Sequence, residues 1–149
     1  MALIFESIQT DGIAELSYLV GDDSEGVAAV FDPRPDVDCY LQLAREKQVA
    51  ITHIFETHIH VDFVSGAREL CARAETAKIF LSHEGGARYG FNHENITDGD
   101  NFKFGSVLFT VRHTPGHTPE HVAYLLAEKD HADAPWGVLT GDSLFVSSA

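Results

Sequence analysis

Residues 50–55 (Ala-Ile-Thr-His-Ile-Phe) form a short apolar, β-branched run that passes straight into Thr57-His58-Ile59-His60-Val61-Asp62-Phe63. No other feature constrains the fold as tightly. Such a run reads as a buried strand, and a buried strand that ends in two imidazoles and a carboxylate must deliver them to an open edge of its sheet, because polar groups buried without partners are costly. On an extended segment His58 and His60 project to one side, and Asp62 continues the alternation. Alone, this His-x-His-x-Asp pattern is either a polar loop or part of a metal site. Two later segments favour the metal site. Thr114-Pro115-Gly116-His117-Thr118 and Thr140-Gly141-Asp142-Ser143-Leu144-Phe145 each place one ligand-type side chain on a glycine-containing turn beside a strand-like run. Three separated segments then supply one candidate metal centre.

The flanking pattern is that of an α/β protein. Residues 3–8, 15–20 and 27–31 are short apolar or alternating runs separated by Asp-Gly and Gly-Asp-Asp turn signals, which predicts an antiparallel meander ended by Asp32-Pro33. Val37, Tyr40, Leu41 and Ala44 recur at helical spacing within residues 37–47. After the histidine motif, residues 65–77 read as a second helix with Ser65 as N-cap and Leu70 and Ala74 inward, and residues 78–81 as a strand. Strand, histidine-rich loop, helix and strand make a βαβ-like unit. From Gly99 onward the helical spacing disappears, and residues 102–104, 107–112, 122–126 and 136–140 are strand-like runs separated by turns. The expected architecture is an α/β sandwich, one domain over residues 1–149, with the ligands gathered on loops at one edge of the sheets.

A chain of 149 residues, 44% apolar and 22% charged, has enough material for one core. Its formal charge of -13 argues against nucleic acid and anionic membrane surfaces, where binding depends on neutralising phosphate. No apolar stretch approaches the roughly 20 residues that cross a bilayer. The N-terminus also lacks a basic region followed by an apolar one, so a soluble, cytoplasmic protein is expected. Cys39 and Cys71 each fall in a helix-like segment; they are too few for a disulfide framework and read as inert thiols. Among the other histidines, His53 reads as a core or hydrogen-bonded residue of its strand and His83, His93 and His131 as solvated loop residues. His113 and His121 flank the Pro-Gly-His turn and are left outside the ligand set.

Residues 56–70, ETHIHVDFVSGAREL, together with Asp98-Gly99-Asp100 and the two later turn motifs, resemble the metallo-β-lactamase superfamily, and within it the persulfide dioxygenase and glyoxalase II branch. The family pattern is Thr-His-x-His-x-Asp-His. The resemblance implies the αβ/βα sandwich of that superfamily. Members continue well past the last of these motifs, so it also implies an N-terminal portion whose C-terminal part is missing. Where two-metal members carry a His after the Asp, this chain has Phe63, which cannot coordinate a metal. The later His that a second site requires lies beyond residue 149 in the family pattern. One metal rather than two is expected.

Carried over residue by residue, the resemblance assigns His58, His117 and Asp142 as metal ligands and Fe(II), one per chain, as the metal. Zn is the alternative, since imidazole and carboxylate donors suit both. The implied activity is oxidation of glutathione persulfide, or a related small thiol persulfide, by O2 to sulfite in sulfide catabolism. His60 and Asp62 fall outside the ligand set in this reading and orient a ligand or a metal-bound water. In the zinc hydrolases of the superfamily His60 would instead join the metal. The alternative activities are glyoxalase II-like thioester hydrolysis and, given the length, an inactive metal-binding fragment. The expected partners are small molecules, with no nucleic acid and no membrane, and a homo-oligomer is left open. The missing part further predicts that the strands at 122–126 and 137–140 lack cover and pairing, so that apolar surface is exposed and the chain self-associates.

Overall fold

The computed structural model describes residues 3–10, 15–58, 65–86, 91–116, 118–131 and 133–140. Strands β1 (Leu3–Thr10), β2 (Glu15–Asp22) and β3 (Val27–Phe31) form the expected antiparallel meander, with Phe5 opposite Val20 and Tyr18 opposite Phe31. The chain then crosses over through helix α1 (Asp38–Lys47) to β4 (Ala50–Phe55), parallel to β3, and through helix α2 (Ala67–Arg73) to β5 (Lys78–Ser82), parallel to β4. A short strand β6 (Glu94–Ile96), too brief and polar to read from the sequence, adds a further parallel edge, giving the order β1-β2-β3-β4-β5-β6. Strands β7 (Asn101–Phe104), β8 (Val107–His113), β9 (Val122–Glu128) and β10 (Gly137–Leu139) make a second, antiparallel sheet in the order β10-β9-β8-β7.

The local chemistry explains the helices. Val37, Tyr40 and Ala44 are buried at helical spacing along α1, Asp38 lies in its first turn, and Arg45 and Lys47 lie in its last, the arrangement that suits the helix dipole. Gln48 closes the helix in a left-handed conformation, and its N–H bonds back to the last turn. Helix α2 is shorter than the expected 65–77. Ser65 does serve the helix start, its Oγ accepting from the Ala67 N–H at 3.1 Å, but the chain leaves the helix at Ala74, and Glu75 adopts a left-handed φ of 47°. Thr76 then donates to the Ile51 carbonyl at 2.9 Å, so tertiary anchoring outweighs the helical pattern beyond Arg73.

The first sheet separates two cores. Leu19, Val30, Ile51, Ile54 and Ile79 face the helices and pack with Tyr40 and Leu70, while Val20, Phe31 and Phe55 face the second sheet and pack with Phe104, Phe109, Val111 and Tyr124. Ile51 and Ile54 share a face although an odd number of positions separates them. The register explains this: Ala28 pairs with Ile51 but Ala29 with His53, so Thr52 is an extra residue, and the bulge resets the alternation. His53 consequently turns toward the second sheet, where its ring stacks on Phe80 at 4.8 Å and meets Phe104 edge-on at 4.7 Å. Burial, with Lys78 as a secondary cause, holds its pKa below the ordinary imidazole value. Of the two roles expected from the sequence, core or hydrogen-bonded, His53 takes the second: it is half-buried, its Nδ1 2.8 Å from the Thr52 hydroxyl.

At the far end of β2 and β3 the sheets are fastened by Asp22. Its carboxylate accepts from Ser24 N–H and Oγ–H and from Ser106 N–H and Oγ–H in the β7–β8 turn, all at 2.6–3.0 Å. Burial opposes the charged form, but these four donors outweigh it and hold the carboxyl at about 2. Gly105 lies against this carboxylate with a φ of 58°, a place where a Cβ would collide with Asp22.

The expectation of missing cover and pairing is corrected here for 122–126, whereas among the described residues β10 pairs with β9 alone at an edge of its sheet and leaves Val138 exposed. Strand β9 is central in its sheet, hydrogen-bonded to β8 on one side and β10 on the other, and Val122, Tyr124 and Leu126 are buried in the inter-sheet core. Exposed apolar side chains do occur, but at Leu3, Phe5 and Leu16 on the outer strands of the first sheet and at Trp136 and Val138 beside them. Phe5 and Trp136 touch at 6.0 Å between ring centroids, which joins the two sets across the sheets. Among the described residues no helix is long and apolar enough to cross a membrane.

Candidate metal centre

The site begins where two parallel strands end side by side. Phe31 pairs with Phe55, and the next residue, Asp32, donates its N–H to the Phe55 carbonyl at 2.8 Å. Asp32 holds a left-handed φ of 52°, an uncommon conformation that Asp tolerates better than most residues. In this conformation its carboxylate reaches across to the strand end of β4, accepting from the Thr57 N–H at 2.7 Å and the Thr57 hydroxyl at 2.9 Å. The same hydroxyl oxygen lies 2.8 Å from Nδ1 of His58. Asp32, Thr57 and His58 are all buried.

The loop that carries Asp32 is held from several sides. Gly66 donates to the Pro33 carbonyl at 2.8 Å, and Arg34 N–H donates to the Tyr40 hydroxyl at 2.8 Å. Tyr40 also meets Ser17 Oγ at 2.6 Å, and burial, against the pull of these hydrogen bonds, pushes its pKa up to about 12, so the phenol stays protonated. A Cβ added at Gly66 would collide with the Arg34 carbonyl, which ties the start of α2 closely to this loop. Glu56, also buried, accepts from the Ser65 hydroxyl, and its backbone carbonyl accepts from Tyr124 Oη at 2.7 Å.

The second sheet reaches the same place through the loop between β8 and β9. Val122 N–H donates to the Thr57 carbonyl at 2.7 Å, so the start of β9 is pinned to the end of β4. The loop folds back on itself, with Thr114 N–H to the His121 carbonyl at 2.9 Å and Gly116 N–H to the Thr118 carbonyl at 3.2 Å. His121 is fully buried, and its ring lies on the His58 ring, with centroids 5.0 Å apart and planes 20° apart. Its Nδ1 is 2.9 Å from the Thr114 hydroxyl. The two stacked imidazoles therefore each meet a threonine hydroxyl at Nδ1. Beside them, the buried Glu120 accepts from the Thr118 hydroxyl.

Of the five residues singled out in the sequence, the structure describes His58; His60, Asp62, His117 and Asp142 lie outside the described residues. The described neighbours of His117 are brought to His58, however. Gly116 and Thr118, on either side of His117, belong to the loop whose His121 stacks on His58. Among the described residues alone, no three His, Cys, Asp or Glu side chains converge on a common point. His121 is the contributor that sequence reasoning left out, because four residues beyond a Pro-Gly-His turn nothing in the pattern distinguishes a buried ring from a solvated one.

What is present fits a metal. A ligating histidine characteristically has its other ring nitrogen engaged by a hydrogen-bonding partner that fixes the ring, and the Thr57 hydroxyl lies 2.8 Å from Nδ1 of His58, so Nε2 is the nitrogen that would face a metal. A cavity of about 550 Å³ opens over Cys71, Phe91, His93 and Glu94 between α2 and β6, and among the described residues its lining does not include His58.

Comparison with known proteins agrees with this architecture. The chain is 34% identical over 128 residues to a hydroxyacylglutathione hydrolase of Rhodopseudomonas palustris, a match covering 86% of this chain and 47% of the relative. It is 30% identical over 131 residues to the mitochondrial persulfide dioxygenase ETHE1 of Homo sapiens, covering 87% and 48%. Among solved structures, a metallo-beta-lactamase from Staphylococcus aureus superimposes with a TM-score of 0.89 at 33% identity, covering 98% of this chain and 45% of the other. ETHE1 from Myxococcus xanthus gives 0.74 at 31% identity, covering 83% and 53%. The chain spans about half the length of the relatives it matches. The family model for the metallo-beta-lactamase superfamily matches residues 10–147. With the two-sheet architecture, the strand-end site and a family match that runs almost from end to end, the chain belongs to the metallo-beta-lactamase superfamily.

Proposed function

We propose that this chain carries the metal centre of a persulfide dioxygenase, in which one Fe(II) held by His58, His117 and Asp142 serves the oxidation of glutathione persulfide, or a related small thiol persulfide, to sulfite. The relatives include both persulfide dioxygenases and hydroxyacylglutathione hydrolases at similar identity, so they do not separate the two activities. The observation that carries the reading is Phe63, which stands where a two-metal site would have a histidine and offers no donor atom.

When bound, Fe(II) would leave open positions for two reactants and mediate the transfer to O2 of the four electrons that the persulfide's terminal sulfur loses on becoming sulfite. The chain's own residues supply geometry. Thr57 and His121 fix the His58 ring in rotation and in plane, and the pinned β4 and β9 ends keep the two sheets' contributions at a constant separation. His60 and Asp62 are proposed to orient a ligand or a bound water by hydrogen bonding. The reaction joins a persulfide, O2 and water and releases the thiol, sulfite and two protons, so the site must also let water in and protons out.

The second reading, thioester hydrolysis with zinc, is favoured by the hydroxyacylglutathione hydrolase relatives. One preparation decides between them. Protein purified without oxygen is assayed for metal content, for O2 uptake on glutathione persulfide and for thioester hydrolysis. About one iron per chain with persulfide-dependent O2 uptake is expected. Two tightly bound metals, or full zinc occupancy with thioesterase turnover, would overturn the proposal.

A further inference from the structure

The geometry points to Asp32 as a positioning residue that, through the Thr57 hydroxyl, sets the tautomer of His58 with its proton on Nδ1 and its lone pair on Nε2. The Thr57 hydroxyl has one hydrogen and two neighbours that compete for it, Asp32 Oδ2 at 2.9 Å and His58 Nδ1 at 2.8 Å. A carboxylate only accepts, so the hydrogen goes to Asp32. The contact between the Thr57 oxygen and Nδ1 is then a hydrogen bond only if Nδ1 carries a proton and donates it. A neutral imidazole has one ring hydrogen, so Nε2 keeps its lone pair, the form in which a histidine binds a metal.

Three further observations fit a built relay rather than a chance contact. Asp32 reaches Thr57 from a left-handed backbone conformation, held by its own N–H on Phe55 and by the neighbouring Pro33 and Arg34 contacts. Its second carboxylate oxygen is locked by the Thr57 N–H at 2.7 Å, so the side chain cannot swing away without losing both bonds. All three residues are buried, which keeps water from substituting for a missing partner.

A one-atom change at Asp32 should reverse the tautomer. In Asp32→Asn, the amide oxygen pairs with the Thr57 N–H and the NH2 group faces the Thr57 oxygen. The hydroxyl hydrogen is then free to turn toward Nδ1, so the imidazole proton moves to Nε2, the atom that the proposed metal role requires bare. Asn also tolerates the left-handed conformation, so the backbone is retained. Thr57→Val removes the hydroxyl and should leave a mixture of tautomers. Thr57→Ser should behave as the parent.

The test is a long-range 15N–1H correlation spectrum of the metal-free, full 149-residue chain above pH 7.5, together with Fe(II) affinity measured anaerobically by competition with a chromophoric chelator. Expected are an Nδ1-protonated His58 in the parent and in Thr57→Ser, an Nε2-protonated His58 in Asp32→Asn, and Fe(II) affinity lower by about 10- to 100-fold in Asp32→Asn and Thr57→Val. An Nε2-protonated His58 in the parent, or the same tautomer in a folded Asp32→Asn, overturns the relay. If Asp32→Asn does not fold, a tautomer unchanged in Thr57→Val overturns it equally. The affinity change rests on the proposed ligand role of His58. A tautomer that switches while Fe(II) affinity stays constant confirms the relay and removes His58 from the ligand set.

Discussion

The two ends of β3 each carry a buried aspartate, and the two do different work. Asp22, at the end where β2 turns into β3, accepts four hydrogen bonds from Ser24 and Ser106 and joins the first sheet to the β7–β8 turn of the second. Asp32, just past the other end, accepts from both the N–H and the hydroxyl of one residue, Thr57, and that hydroxyl continues to an imidazole. The first aspartate is a fastener whose partners end the chain of contacts. The second is a relay whose partner passes orientation on. Burial is alike at both; what distinguishes a structural carboxylate from a functional one is whether its hydrogen-bond partner has a further acceptor or donor to direct.

The largest expected effect lies at the relay end. His58→Ala should abolish metal retention, as should His117→Ala and Asp142→Ala, because three ligands leave little redundancy; metal content after gel filtration measures it. His60→Ala should keep the metal and change the rate by about 10- to 100-fold. If it loses metal as completely as His58→Ala, His60 is a ligand and the assignment fails.

Between the two ends, the inter-sheet core should respond next. Phe55 stacks on Phe31 at 4.9 Å and touches Phe80, Phe102 and Tyr124, so it joins both sheets. Phe55→Ala should cost about 3–5 kcal/mol in urea unfolding, whereas Leu16→Ser, on the exposed face of β2, should stay within about 0.5 kcal/mol. Comparable losses at the two positions would mean that the Leu16 face is covered in solution.

The fastener end should give the smallest effect and a distinct pH signature. The Asp22 carboxyl is held at about 2, below the ordinary carboxylate value, so the folded state binds its proton more weakly than the unfolded state. Its contribution is therefore complete above the ordinary value near 4 and is lost as pH falls toward about 2. Asp22→Asn, which points an amide NH2 at serine donors, should cost about 2 kcal/mol at neutral pH. The gap to the parent should close between pH 4 and 2 in chemical denaturation. A gap that persists unchanged to pH 2 would show that the clamp does not depend on charge.

Much of this was legible in the residues themselves. The runs at 27–31 and 50–55 coincide with β3 and β4, the two crossovers follow from strand–helix–strand order, and His58 falls at the end of a buried parallel strand as its motif requires. These are local properties: period, branching and turn chemistry act within a few residues and survive any tertiary context that buries them. The sequence also marked Phe63 as the residue that argues against a second metal.

Other features depend on what lies across the sheet. The extra residue at Thr52 resets the alternation of β4 and so decides which core receives His53 and Phe55. No pattern within the strand reveals it, because a bulge is defined by the register of the neighbour. α2 stops at Arg73 because Thr76 finds a partner in β4. His121 lies on His58 because β9 is pinned to Thr57, and Asp32 reaches Thr57 because two parallel strands end together. Sequence determined which chemical groups stand at the ends of which strands, since side-chain type and local conformation are properties of the chain alone. Only tertiary structure decided which of those groups share a hydrogen or a ring face, since such contacts join residues 25 positions and more apart and exist only once the sheets have closed over them.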